Sequence, residues 1–102
     1  MDQPDPIIHQ PIRLKIMAAL KPLSDGGKLE FVRLKDLLGV TDGNLGAHVT
    51  TLEEAGYIAV EKDFAGKKPR TRVSLTRKGR RAFEDYVAEL RAIIDSSDRS
   101  ET

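Results

Sequence analysis

Three residues, Gly39-Val40-Thr41, separate two leucine-striped segments, and that spacing leaves few folds open to the chain. Leu34, Leu37 and Leu38 predict a short helix over Val32–Leu38 with those leucines inward. Leu45, Val49 and Leu52 fall at i, i+4 and i+7, which predicts a second helix over about 42–55. Gly39 ends the first helix, Val40 is read as a buried plug, and Thr41 can accept a free backbone N–H as the cap of the next helix. Gly56 suits the left-handed position after it. Two helices joined this tightly form a helix-turn-helix unit. One local feature conflicts with the pattern. Gly43 and Gly46 sit in the early turns of the second helix, where each costs about 1 kcal/mol against alanine.

The flanking sequence supplies the rest of the frame. Pro11 favours a first helical turn, and Ile12, Ile16, Ala19 and Leu20 share one face of a helix over Pro11–Leu20, which Pro22 ends. Leu29–Phe31 reads as a short extended segment. Tyr57–Asp63 and Arg70–Leu75 alternate as strands, joined by a loop over Phe64–Pro69 with Gly66 near its tip. Thr76 can cap a last helix over Arg77–Ile94, whose stripe is Phe83, Val87, Leu90 and Ile94, widened by Tyr86 and Ile93. The expected fold is mainly α with a small β-hairpin wing (α+β), a winged helix-turn-helix in one domain over 7–95. A disordered tail over 1–6 and a flexible tail over 96–102 flank it.

The net charge of +1 hides a strong asymmetry. From Lys62 to Arg81 there are nine basic residues and one acid, Asp63, whereas the remainder holds eight basic and fifteen acidic residues. Such a separation is the electrostatic footprint expected of a partner rich in phosphate. The chain has no cysteine, which excludes disulfides, thiolate metal sites and cysteine nucleophiles and fits a cytoplasmic protein. His9 and His48 are far apart, and no cluster has metal-ligand spacing, so no metal and no cofactor are expected. There is no glycine-rich phosphate loop after a strand, no nucleophile elbow and no paired carboxylate frame, and so no catalytic residue or enzyme activity is expected. No apolar run has the length of a membrane span.

The candidate site is therefore a surface for double-stranded DNA. A helix fits the major groove, whose edges distinguish the base pairs. The face opposite Leu45, Val49 and Leu52 is read as Thr41, Asp42, Gly43, Asn44, Ala47, His48 and Thr51. Asn44 suits adenine, His48 a guanine edge or a phosphate, and Ala47 or Thr51 a thymine methyl. Gly43 and Gly46 would let backbone approach phosphate. On the hairpin, Lys62, Lys67, Lys68, Arg70 and Arg72 form a basic wing over 62–72 for the backbone or the minor groove. Arg77, Lys78, Arg80 and Arg81 continue the charge, either bordering the phosphates or as a solvated first turn. Tyr86, Leu90, Ile93 and Ile94 extend past the reach of so small a core and are read as a homodimer interface. A small-molecule effector is compatible with this frame, but no residue pattern indicates one. The alternative is a winged-helix module that docks onto protein without binding DNA.

The segments HQPIRLKIMAAL, LKDLLGVTDGNLGAHVTTLEEAGYI and KKPRTRVSLTRKGRRAF carry a family likeness, above all LEEAGYI followed by a basic hairpin and LTRKGR. Over about His9 to Tyr86 the chain resembles the winged-helix transcriptional regulators related to the MarR and ArsR families. The resemblance implies DNA binding by the third helix and the wing and a dimer through terminal helices. By position it puts Asp42, Asn44, Ala47, His48 and Thr51 toward the groove and Lys67, Lys68, Arg70 and Arg72 on the wing. It does not imply metal sensing, because the thiolates used in ArsR-type sensors have no counterpart here.

Overall fold

A computed structural model describes residues 4–100, with side chains through Ser96. The elements run α1 (Pro11–Leu20), β1 (Lys28–Glu30), α2 (Phe31–Leu38), α3 (Asp42–Glu54), β2 (Ile58–Ala65), β3 (Lys68–Leu75) and α4 (Arg77–Ser100). The three strands form one antiparallel sheet in the order β1-β3-β2. No described helix is long and apolar enough to cross a membrane. This is the expected α+β winged helix-turn-helix.

α1, α3 and α4 each start on a side-chain cap, whereas α2 follows Glu30 without one. Gln10 caps α1 by accepting the Arg13 N–H at 2.9 Å, with Pro11 in the first turn. Thr41 caps α3 by accepting the Asn44 N–H at 3.2 Å. Thr76 caps α4 by accepting the Gly79 N–H at 2.9 Å, and its own hydroxyl donates to the Gly56 carbonyl at 2.6 Å. The α3 terminus closes with Gly56 at φ 81°: Gly56 N–H reaches the Glu53 carbonyl and Tyr57 N–H the Leu52 carbonyl. That pair of bonds satisfies carbonyls the helix leaves free and fixes the exit direction toward β2.

One core holds these elements. Ile8, Ile16, Met17 and Leu20 from the N-terminal side meet Leu34 of α2, Leu45, Val49 and Leu52 of α3, Ile58 and Val73 of the sheet, and Phe83 and Tyr86 of α4. Burying each of these large apolar side chains contributes about 1.5–3 kcal/mol. The α3 stripe is therefore as read from the sequence. The α2 stripe is not: Leu34 is buried and Leu38 half-buried, but Leu37 is 53 % exposed. A helix of eight residues turns only one narrow face to the core, and Leu34 with Leu38 (i, i+4) fills it. Val40 is half-buried rather than a sealed plug.

Three boundaries also differ. Asp5 lies in the segment expected to be disordered, yet it accepts the Ile7 N–H at 2.8 Å and the Tyr57 hydroxyl, which ties the start of the chain to the α3–β2 turn. Burial, with that hydrogen bond and the Asp5 charge, pushes the Tyr57 phenol up to about 12. The helix expected to stop at Ile94 continues to Ser100, across most of the segment expected to be a flexible tail. Residues 1–3 and 101–102 of the two expected tails lie outside the described residues. The hairpin is longer than expected, because Phe64–Pro69 is not a loop. Phe64 pairs with Pro69 and Ala65 with Lys68, leaving a two-residue turn in which Gly66 takes φ 66°. Pro69 is tolerated because β1 pairs with β3 only at residues 72–74, so the edge lacking its N–H faces no strand.

Candidate nucleic-acid interface

α3 presents its outer face between two flanks, α1 on one side and the hairpin on the other. Asp42, Gly43, Asn44 and Ala47 are exposed on it. Several residues read as base contacts are engaged elsewhere. The Thr41 hydroxyl is used as the cap. Asp42 pairs with Lys35 of α2 at 3.0 Å. Thr51 is half-buried and its hydroxyl returns to the Ala47 carbonyl at 3.2 Å. His48 lies on the α1 flank, half-buried, with Nδ1 3.1 Å from an Arg13 guanidinium nitrogen. Since guanidinium only donates, Nδ1 accepts and the ring proton sits on Nε2. Burial, and then the Arg13 charge, lower the His48 pKa below its ordinary value. Arg13 is itself anchored by a 2.6 Å bond to the Ile7 carbonyl.

Thr50 was missed. It is exposed, and Gly43, Ala47 and Thr50 follow i, i+4 and i+7 opposite the buried stripe, so helical spacing was the signal for it. Thr50 also lines a groove of about 510 Å³ between α3 and the hairpin. Phe31, Val49 and Val60 contribute apolar surface to it, and Gly46, Glu53, Lys62 and Thr71 complete the lining. A β-carbon built on Gly43 or Gly46 meets nothing within 4 Å. No packing within the chain requires either glycine.

The hairpin sorts its charges by face. Side chains alternate along a strand, so Glu61 and Asp63 of β2 share one face with Arg70 and Arg72 of β3. There Arg70 binds Asp63 through two 2.9 Å bonds, and Arg72 reaches Glu61 at 2.6 Å and Asp63 at 2.8 Å. Lys28 of β1 adds a 2.9 Å bond to Glu61. The Arg70 hydrogen bonds hold the Asp63 carboxyl below its ordinary value, and Lys28 does the same for Glu61. Arg70 and Arg72, read from the sequence as wing contacts, are thus neutralised within the sheet. The acids responsible lie across the strand pair, a relation that the linear sequence does not display. Lys62, Lys67 and Lys68 remain exposed, and among the described residues none of the three enters an ion pair. Lys62 projects on the other face, into the groove beside α3.

The basic start of α4 also divides. Arg80 donates to the Lys21 and Leu23 carbonyls at 3.3 and 3.1 Å, closing the end of α1, and is structural. Lys78 places its ammonium 5.7 Å from the Tyr57 ring centre. Arg77, Lys78 and Arg81 are exposed. Of the residues read as an interface between copies, Tyr86 belongs to the chain's own core: it is 2 % exposed and its hydroxyl lies 2.8 Å from His9 Nδ1. Leu90 is half-buried, while Ile93 and Ile94 are 42 % and 59 % exposed. Among the described residues no group of three His, Asp or Glu side chains is placed to hold a metal ion.

Comparison with known proteins gives a consistent picture. Residues 12–94 match a family model described as a winged helix DNA-binding domain. An uncharacterised protein of Methanocaldococcus jannaschii is 38 % identical over 84 residues, spanning 82 % of this chain and 88 % of that protein. The solved structure of a transcriptional regulator homologue from Pyrococcus horikoshii OT3 superposes with a TM-score of 0.82 at 35 % identity, covering 90 % of this chain and 88 % of that one. NadR in complex with 4-hydroxyphenylacetate shares the fold, with a TM-score of 0.67 at 21 % identity over 95 % of this chain and 69 % of that one.

Proposed function

This chain belongs to the winged helix DNA-binding domain family, and we propose that it regulates transcription as a homodimer on double-stranded DNA. In this reading α3 enters the major groove and the hairpin lies against the adjoining backbone and minor groove. The observation that carries it is the sorting of charge on the hairpin. Two arginines are cancelled by two acids on one face, while Lys62, Lys67 and Lys68 stay uncompensated beside and beyond the outer face of α3. Asn44 is the exposed amide on that face, suited to an adenine edge, with Ala47 against a thymine methyl. Lys62, Thr50 and Thr71 flank the groove through which the phosphodiester strand between the two DNA grooves would pass.

The test is fluorescence anisotropy on labelled duplexes at about 50 and 200 mM salt, comparing a selected sequence with a scrambled one. Each phosphate contact contributes a slope of about −0.9 to the log–log salt plot. The Lys67→Ala/Lys68→Ala variant is expected to flatten that plot by about 1.8 and to weaken cognate and scrambled duplexes alike. An unchanged slope removes the wing from the DNA contact.

The homodimer rests on α4. At 1.5 Å per residue its 24 residues span about 36 Å, in a molecule whose extents are 61 × 26 × 21 Å. It therefore projects past the core, with Ile93 and Ile94 exposed on the projecting part. Pairing that segment with its copy would bury both and set two α3 helices toward successive half-sites about 34 Å apart. Sedimentation of Ile93→Glu/Ile94→Glu is expected to show a folded monomer with DNA affinity reduced at least about 100-fold. A parent chain that sediments as a monomer refutes the dimer without touching the DNA reading.

A further inference from the structure

We propose that Phe64 is a DNA-contacting wedge, seated in the minor groove with Lys67 and Lys68 on the phosphates beside it. The inference rests on the DNA-binding reading above and assigns a part of that contact which charge alone does not reveal. Along β2, Val60, Lys62 and Phe64 share the face turned toward α3, and Val60 and Lys62 line the groove there. Phe64 continues that row toward the tip. It is 67 % exposed, its cross-strand partner is Pro69, and it takes no part in the core.

The surroundings of Phe64 select the occupant. Phe64 shares its face with Lys62, Lys67 stands in the turn beyond it, and Lys68 lies opposite Ala65 on the other face of the tip. An apolar ring on a lysine-bearing tip fits a partner that is anionic at its rims and less polar between them. The minor groove has that form: phosphates on both edges, with sugar and base edges inside a cleft about 6 Å wide. Proteins that bind there use apolar side chains in this way. A second copy of the hairpin tip fits poorly, since it would bring lysines against lysines.

The full-length chain is tested as wild type, Phe64→Ala, Phe64→Leu and Lys62→Ala, on a selected duplex and on the same duplex with inosine for guanine under the wing. Inosine removes the only amino group in the minor groove and leaves the major-groove edge intact. The expected result is an affinity about tenfold lower for Phe64→Ala, with partial recovery in Phe64→Leu. The salt slope of Phe64→Ala should match wild type, whereas Lys62→Ala should flatten it by about 0.9. Wild type should distinguish guanine from inosine several-fold and Phe64→Ala should not. At 67 % exposure the alanine variant should melt with the wild type. Equal affinity of wild type and Phe64→Ala overturns the wedge and leaves DNA binding standing. The same equality together with loss of binding to anionic phosphatidylserine vesicles would reassign Phe64 to a lipid surface. If neither protein binds any duplex, the wedge and the DNA reading fall together.

Discussion

Gly79→Ala is expected to destabilise the domain by about 3 kcal/mol or more, since a buried clash against fixed backbone exceeds the usual overpacking cost. For a domain near this size, that corresponds to a melting temperature at least about 12 °C lower. A β-carbon at Gly79 would stand 1.9 Å from the Tyr57 carbonyl oxygen, 2.7 Å from its carbon and 2.9 Å from its Cα. All three are backbone atoms, and Tyr57 has little freedom to move. Its N–H is bonded to Leu52, its carbonyl accepts the Thr76 N–H at 3.1 Å, and its hydroxyl is held by Asp5. Relief requires α4 to lift from the α3–β2 turn. Phe83 and Tyr86, one and two turns further along the same helix, would then leave the core. The gain in helix propensity, about 1 kcal/mol, is far too small to compensate. Thermal unfolding followed by circular dichroism measures the effect. A melting temperature within about 3 °C of wild type would mean that α4 does not approach the turn this closely.

Gly79 also illustrates what the sequence could and could not disclose. In the linear chain it is a glycine in the first turn of a helix, with nothing to distinguish it from Gly43. The difference lies in a neighbour 22 positions away, and only the tertiary approach of two backbones exposes it. The elements themselves were legible because local chemistry determines them: Thr41, Thr76, Gly39 and Gly56 mark ends, and Leu45, Val49 and Leu52 mark a face. The core face of α3 followed directly, but its flanks did not. His48 looked free to read a base until α1 placed Arg13 beside it. The surroundings of the wing arginines were hidden in the same manner. Arg70 and Arg72 carry the charge that a phosphate contact needs, yet antiparallel register sets them across from Asp63 and Glu61. That register depends on the turn at Gly66, and a loop over 64–69 gave no basis for the pairing. Thr50, by contrast, was available from spacing alone.

Replacing Gly43 and Gly46 together with alanine is expected to move stability and DNA binding in opposite directions. Both glycines sit inside α3, where glycine is costly, and neither meets a neighbour within 4 Å of a built β-carbon. Their φ values are not positive, so the backbone does not demand glycine either. The double variant should gain about 1–2 kcal/mol, raising the melting temperature by roughly 4–8 °C per kcal/mol. Gly43 is exposed on the outer face and Gly46 lines the groove beside the hairpin. A methyl group at each site would stand where DNA backbone or base edges approach α3. Affinity for a cognate duplex should therefore fall about 10- to 100-fold, the range for losing one well-made groove contact. Unfolding cannot mimic this outcome, because lost binding would accompany a more stable protein. If stability rises while affinity is unchanged, α3 does not approach DNA through these positions, and the major-groove contact must run through Asn44 and Ala47 without close backbone approach. If stability fails to rise, the two glycines occupy space that the chain itself requires, and their cost in the helix has a structural cause.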